Sequence, residues 1–171
     1  MFGITIRAAG PAPRFWSLVD GVSPLEDAPS IRALNYAPHL TMARYEDLAP
    51  ETLVEGLEVF KGVPPITLTF HRIGLFRVEP LVLWLEPRNE PGLVDLHGRL
   101  HAFLGEDLSD PHYRPGLWRP HCTIASSVAP EHRTKAEALA GEPIKPFAMT
   151  FDVADALEWP PVRQIGSRHL S

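Results

Sequence analysis

Two short phrases in the chain are near copies of each other. Residues 38–43 read PHLTMA and residues 120–125 read PHCTIA. Each sets a His, one spacer and a Thr between a Pro and an apolar residue. Together they supply two imidazoles, His39 and His121, and two hydroxyls, Thr41 and Thr123. Imidazole titrates near neutral pH, so one ring can take a proton while the other gives one. Two hydroxyls can donate to the oxygens of a phosphate. That combination suits phosphodiester chemistry.

The spacing requires strands. Proline disfavours helix at the residue before it, and Thr with apolar flanks suits a pleated surface. Side chains alternate faces along a strand. His39 and Thr41 then share one face, with Leu40 and Met42 on the other. In the second copy His121 and Thr123 share a face, with Cys122 and Ile124 opposite. Residues two apart on a helix point in different directions, so a helix would separate each pair.

The repeat extends into the elements that must hold these strands. GITIR at 3–7 and PLVLWLEP at 80–87 read as strands upstream of the motifs. Helical patterns at 13–22 and 92–104 precede the motifs, and others at 50–60 and 130–140 follow them. The last two each carry Pro-Glu near the start, a helix-initiating signal. Strands ITLTFHRIGLF at 66–76 and FAMTFDVADALEW at 147–159 close each half, with LTF and MTF at nearly the same offset from their histidines. The expected organisation is one bilobal domain over 1–171, with an internal repeat of roughly 1–79 and 80–171. The motif strands are expected at the centre, facing each other.

The chain of 171 residues suits a single core. A formal net charge of −5 argues against broad electrostatic binding of nucleic acid, though not against one nucleotide or a short RNA end in a pocket. One cysteine excludes an internal disulfide framework. No signal-type start and no membrane-length apolar run is present, so a cytoplasmic protein is expected. There is no Gly-rich phosphate loop and no dinucleotide fingerprint.

These residues resemble the two-histidine (2H) phosphoesterase superfamily, and within it the 2′-5′ RNA ligase / 2′,3′-cyclic phosphodiesterase group. The likeness rests on both His-x-Thr motifs, their separation of about 80 residues, the element pattern around them and IGLF at 73–76. It implies an α+β fold of two pseudo-symmetric lobes, with antiparallel sheets lining a central cleft and helices outside. It implies metal-free and cofactor-free chemistry at a phosphodiester, with His39, Thr41, His121 and Thr123 as the catalytic set. The substrate implied is a nucleotide or short RNA end bearing a 2′,3′-cyclic phosphate, and a monomer is expected. Joining 2′ and 5′ ends, trimming RNA ends, or non-catalytic nucleotide or RNA binding are the alternatives. The intact four-residue set argues against the last, because binding alone does not need two proton-transfer groups.

Face parity extends the site. At 66–72 it turns Thr67, Thr69 and His71 toward the cleft; at 81–86 it turns Trp84 there; at 3–7, Thr5 and Arg7. Arg7 is a phosphate partner by this reading, Trp84 or Phe76 a stacking surface for a base, and Thr69 and His71 further lining. Cys122 is placed in the core, away from its neighbouring His. Arg44 and Arg119 flank the motifs and either could meet phosphate, though strand-end arginines are most often solvated or paired with carboxylates. His97 and His101 have a spacing that can bind zinc, but lack the Glu of HExxH. An exposed or semi-exposed helix face is the reading for them.

Overall fold

The computed structural model describes residues 1–171. Eight strands form two antiparallel sheets, each of four strands. The strands are β1 (Phe2–Arg7), β2 (His39–Tyr45), β3 (Ile66–Phe76), β4 (Leu81–Pro87), β5 (Cys122–Val128), β6 (Pro143–Phe151), β7 (Val153–Glu158) and β8 (Arg163–His169). The first sheet runs β2-β1-β7-β8 and the second β5-β4-β3-β6. The helices are α1 (Pro13–Val22), α2 (Ser30–Ala33), α3 (Pro50–Glu55), α4 (Pro91–Leu104) and α5 (Arg133–Leu139). Proline opens α1, α3 and α4, where its missing N–H costs nothing. The class is α+β, as the resemblance implied.

The two sheets are built alike. In each, a motif strand lies at one edge and pairs with the strand that precedes it in its half of the chain. The expectation of central motif strands is therefore corrected: β2 and β5 are edge strands. The reason lies in the third position of each sheet. β3 crosses to pair with β4, and β7 crosses back to pair with β1. Each sheet thus holds strands from both halves of the sequence.

The segment 147–159 is two strands, not one. β6 ends at Phe151 in the second sheet and β7 begins at Val153 in the first. The LTF and MTF phrases are consequently direct neighbours, with Leu68 opposite Met149 and Phe70 opposite Phe147. β8 was not foreseen. Its residues RQIGSRH show no apolar alternation, and it is an edge strand with only intermediate and exposed positions up to His169.

A single cluster of 36 buried apolar residues joins Ile4, Ile6 and Leu40 of the first sheet to Leu68, Phe70, Leu83, Leu85 and Cys122 of the second. Both motif strands show the expected alternation, half-buried at His and Thr and buried at the residues between.

Both strands also carry a β-bulge just past the Thr. Thr41 pairs with Thr5 but Ala43 pairs with Ile4, leaving Met42 as the extra residue. Thr123 pairs with Trp84 but Ala125 pairs with Leu83, leaving Ile124 extra. A bulge frees backbone polar groups that must find partners elsewhere. Around β5 the Glu26 carboxylate accepts from the backbone N–H of Ser126 and Ser127. Around β2, His101 Nε2 donates to the Met42 carbonyl at 3.1 Å and Trp118 Nε1 to the Thr41 carbonyl at 3.0 Å.

His97 and His101 are 2% and 0% exposed, not on an open face. They lie on the stripe of α4 that includes Leu93, Leu96, Leu100 and Leu104, and that stripe is buried. The Nε2 of each ring meets a main-chain carbonyl, whereas His101 Nδ1 is buried without a partner.

Candidate active site

The first imidazole is held from behind. His39 Nδ1 lies 3.0 Å from the Ala37 carbonyl, and His121 Nδ1 lies 2.7 Å from the Arg119 carbonyl. A carbonyl only accepts, so each Nδ1 carries the proton and each Nε2 presents a lone pair. Neither Nε2 has a protein partner, and neither is among the sealed polar atoms, so both are open to solvent. The same device, a carbonyl two residues back, thus fixes the same tautomer in both copies. The residue two back is placed by the intervening Pro38 or Pro120.

The motif strands approach one another across the cleft. The Cys122 thiol sits against the His39 main chain, and a charge on His39 is felt by His121. Burial pushes His121 down to about 4, its Arg119 carbonyl bond opposing this and the nearby His39 adding to it. Burial also lowers His39, opposed by the Ala37 carbonyl and by the charge of Asp155. Cys122 is 1% exposed and burial pushes its thiol up to about 12, which leaves no thiolate for nucleophilic work.

What flanks the two rings differs. On the first sheet, pairing registers a row across all four strands: Thr41, Thr5, Asp155 and Ser167. Asp155 is fully buried and accepts four hydrogen bonds: from Arg7 Nε at 2.5 Å, Tyr36 OH at 2.5 Å, Gln164 Nε2 at 2.6 Å and Ser167 Oγ at 2.6 Å. Tyr36 in turn meets Thr5 Oγ1 at 2.8 Å and packs edge-on against His39, 5.0 Å between centroids. Burial, and then the Asp155 bond, raise the Tyr36 hydroxyl far above its ordinary range, so it remains a donor. On the second sheet the corresponding row is Thr123, Trp84 and Gly74. There Phe76 stacks on Trp84 at 5.0 Å and stands edge-on to His121 at 4.9 Å. Gly74 has no alternative, since a Cβ would come within 2.3 Å of the Trp84 indole.

The sequence-derived residues separate accordingly. Arg7 is the cross-strand neighbour of His39, but its Nε is held by Asp155. Trp84 does face the His121 side, yet it is 5% exposed beneath Phe76, which is half-buried and the more accessible ring. Thr69 lies seven residues from Phe76 on β3, about 23 Å at strand rise, and is not brought to His121. His71 occupies a bulge between Phe70 and Arg72 and also stays outside that group. Tyr36, Asp155, Gln164 and Ser167 were missed. The one available signal was in VADALE, where Asp155 is a charged residue set among apolar neighbours inside the strand.

A cavity of about 550 Å³ opens beside the second motif, with His121, Thr123, Phe76 and Tyr113 in its wall. No group of three His, Cys, Asp or Glu side chains is arranged to hold a metal ion. No helix is long and apolar enough to cross a membrane. Chemically, each motif offers one imidazole lone pair and one hydroxyl on one strand face, and the cavity wall holds the second pair, His121 and Thr123.

The family model for the 2′-5′ RNA ligase superfamily matches residues 36–159, which include both motifs. No protein of curated function matches the sequence. Among solved structures, a protein described only as a phosphoesterase superposes with a TM-score of 0.64 at 18% identity, covering 99% of this chain and 97% of the other. E. coli LigT complexed with NADP+ gives 0.64 at 18% identity, covering 99% and 96%. E. coli LigT complexed with 3′-AMP gives 0.60 at 19% identity, covering 99% and 94%. At these identities the likeness concerns the fold.

Proposed function

This chain belongs to the 2′-5′ RNA ligase superfamily, and on that premise we propose that it is a metal-independent phosphodiesterase opening 2′,3′-cyclic phosphates of nucleotides or short RNA ends. The observation that supports this is the matched pair of imidazoles. Both are fixed as the Nδ1–H tautomer, both leave Nε2 open, and each stands two residues before a Thr on the same strand face. Opening the ring needs a water to lose a proton while the departing ribose oxygen gains one. One Nε2 takes the first proton and the other, protonated, gives the second. Thr41 and Thr123 donate to the non-bridging oxygens as charge grows on them. With a 5′-hydroxyl in place of water as the nucleophile, one ring takes its proton, the other protonates the departing 3′ oxygen, and the product is a 2′-5′ linkage, the reaction for which the superfamily is named.

A nucleotide partner fits the neighbours as well: LigT is described in complexes with 3′-AMP, ATP and NADP+. The test is turnover of the four nucleoside 2′,3′-cyclic phosphates in excess chelator, with the product identified by phosphorus NMR. His39→Ala and His121→Ala should each lower kcat about 10²- to 10⁴-fold, and the double variant should lose little more. Thr41→Val and Thr123→Val should each cost about 2.7–4 kcal/mol in the transition state. Activity that needs added metal, or that survives loss of both histidines, would overturn the proposal.

A further inference from the structure

We propose that the substrate carries a second phosphate group, one that does not react, read by Arg44 and Arg119 in the cavity beside His121. This rests on the phosphodiesterase reading and names the kind of substrate that the site selects.

Charge distribution is the first observation. The whole chain has 16 Lys and Arg against 21 Asp and Glu. The cavity wall reverses that balance, with Arg44, Arg77 and Arg119 against the single carboxylate of Asp110. The same wall holds His121 and Thr123. A ligand reacting at the motif therefore extends directly into a cationic chamber. Its volume of about 550 Å³ lies within the usual range of small-ligand pockets, and exceeds what one reacting phosphate would fill.

The second observation is how Arg44 gets there. It follows His39 by five residues, and simple alternation would turn it away from the cleft. The bulge at Met42 resets the alternation, so Arg44 emerges on the His39 face. The matching bulge at Ile124 brings Ser126, five residues after His121, into the same wall. One edge strand thus supplies a long cation and the other a short hydroxyl side chain that leaves room for it.

Third, these guanidiniums are weakly engaged. Arg44 is 3.7 Å from Asp110, well beyond the about 2.7–2.9 Å of a charge-assisted hydrogen bond, and its Nη2 rests on the Met1 thioether. Asp110 is shared with the His112 ring at 3.1 Å. Arg119 is exposed and has no carboxylate partner, whereas Arg77 is paired with Glu137 at 2.8 Å. Arg119 is therefore free to bind a phosphate and Arg44 is held only loosely, by Asp110, Met1 and the Tyr113 hydroxyl, and the planar fork of arginine suits two phosphate oxygens at once.

The second phosphate can be a terminal 5′-phosphate or the next phosphodiester of a chain. The experiment compares a nucleoside 2′,3′-cyclic phosphate lacking any other phosphate, the same molecule with a 5′-phosphate, and a dinucleotide ending in the cyclic phosphate. The wild-type enzyme should prefer one or both of the latter by about ten- to a hundredfold in kcat/KM. Preference for the 5′-phosphate alone identifies a terminal phosphate, and preference for the dinucleotide an internal one. Arg44→Ala with Arg119→Ala should bring the ratios close to one. Equal kcat/KM on all three would overturn the inference while leaving the phosphodiesterase reading intact. If none is turned over, that reading fails, and calorimetry with inorganic pyrophosphate still decides this one. Binding that weakens at least tenfold in the double variant supports it, and binding that is absent or unchanged overturns it.

Discussion

In the proposed mechanism the protonation of His39 and His121 governs the rate in opposite senses, since one must be neutral while the other is charged. Sequence reading alone places both near the ordinary 6.5. Burial moves both downward, His121 to about 4. Because kcat/KM reports the free enzyme, its pH optimum should lie below about 6.5. A bound phosphate anion favours the protonated rings, so the kcat optimum should lie at higher pH than that of kcat/KM. Two full pH profiles check this; coincident optima above neutrality would contradict the burial argument. The apparent values will belong to the pair, not to either ring. Asp155 is the other residue of consequence. Removing a buried carboxylate that satisfies four donors leaves Arg7, Tyr36, Gln164 and Ser167 without their acceptor. Asp155→Ala should lower the unfolding free energy by about 3–5 kcal/mol in urea titrations. It should lower kcat as well, because Tyr36, which flanks His39, loses its anchor.

Among the elements, α4 is the one that locks the first motif. His101 meets the Met42 carbonyl, His97 Nε2 lies 2.8 Å from the Tyr113 carbonyl, and His97 stacks flat on Trp118 at 4.0 Å. One helix thereby ties the β2 bulge to the loop that leads into His121. His101→Leu should fold, lose about 1–3 kcal/mol for the unpaired Met42 carbonyl, and lower kcat through a displaced Thr41. Unchanged kcat in a destabilised variant would show that the bulge does not depend on this bond. Burial holds His97 at about 4, against 6.5 ordinarily, and lowers His101 too. Between those values the unfolded chain binds more protons than the folded one. Stability from this cluster is thus present above about 6.5 and is lost as pH falls toward 4. The urea midpoint should drop across that window, and less so in His97→Gln.

At the scale of the molecule, the crossing of β3 and β7 interlocks the two sheets. Neither sheet can be completed by one half of the chain, and one apolar cluster of 36 residues spans both. Unfolding should therefore be a single transition. Far-ultraviolet dichroism and tryptophan fluorescence should give the same urea midpoint, with Trp84 and Trp118 both reporting on the cleft. Separate midpoints would mean that the lobes melt independently.

The chemistry proposed for this protein rests on two six-residue phrases, whose faces were legible because strand periodicity is local. His-x-Thr on an extended backbone puts both groups on one face wherever the strand ends up. Helices α1, α3, α4 and α5 were legible for the same reason, through Pro at or near their starts and apolar stripes, whereas the short α2 was not foreseen. Interlocking was not. Whether the strand at 66–76 pairs within its own half or crosses depends on long-range packing, and LTF reads identically either way. The bulges at Met42 and Ile124 were equally hidden, since a single extra residue leaves no mark on composition yet decides which way Arg44 points. His97 and His101 read as polar helix residues until the fold supplied main-chain carbonyls to receive them. Asp155 stood as a charge flanked by apolar residues in its strand, and only the register with Thr5 and Ser167 made it the polar foundation behind His39. Local sequence determines what a strand presents; which strands become neighbours, and so which side chains share a site, is set by the burial of the whole core.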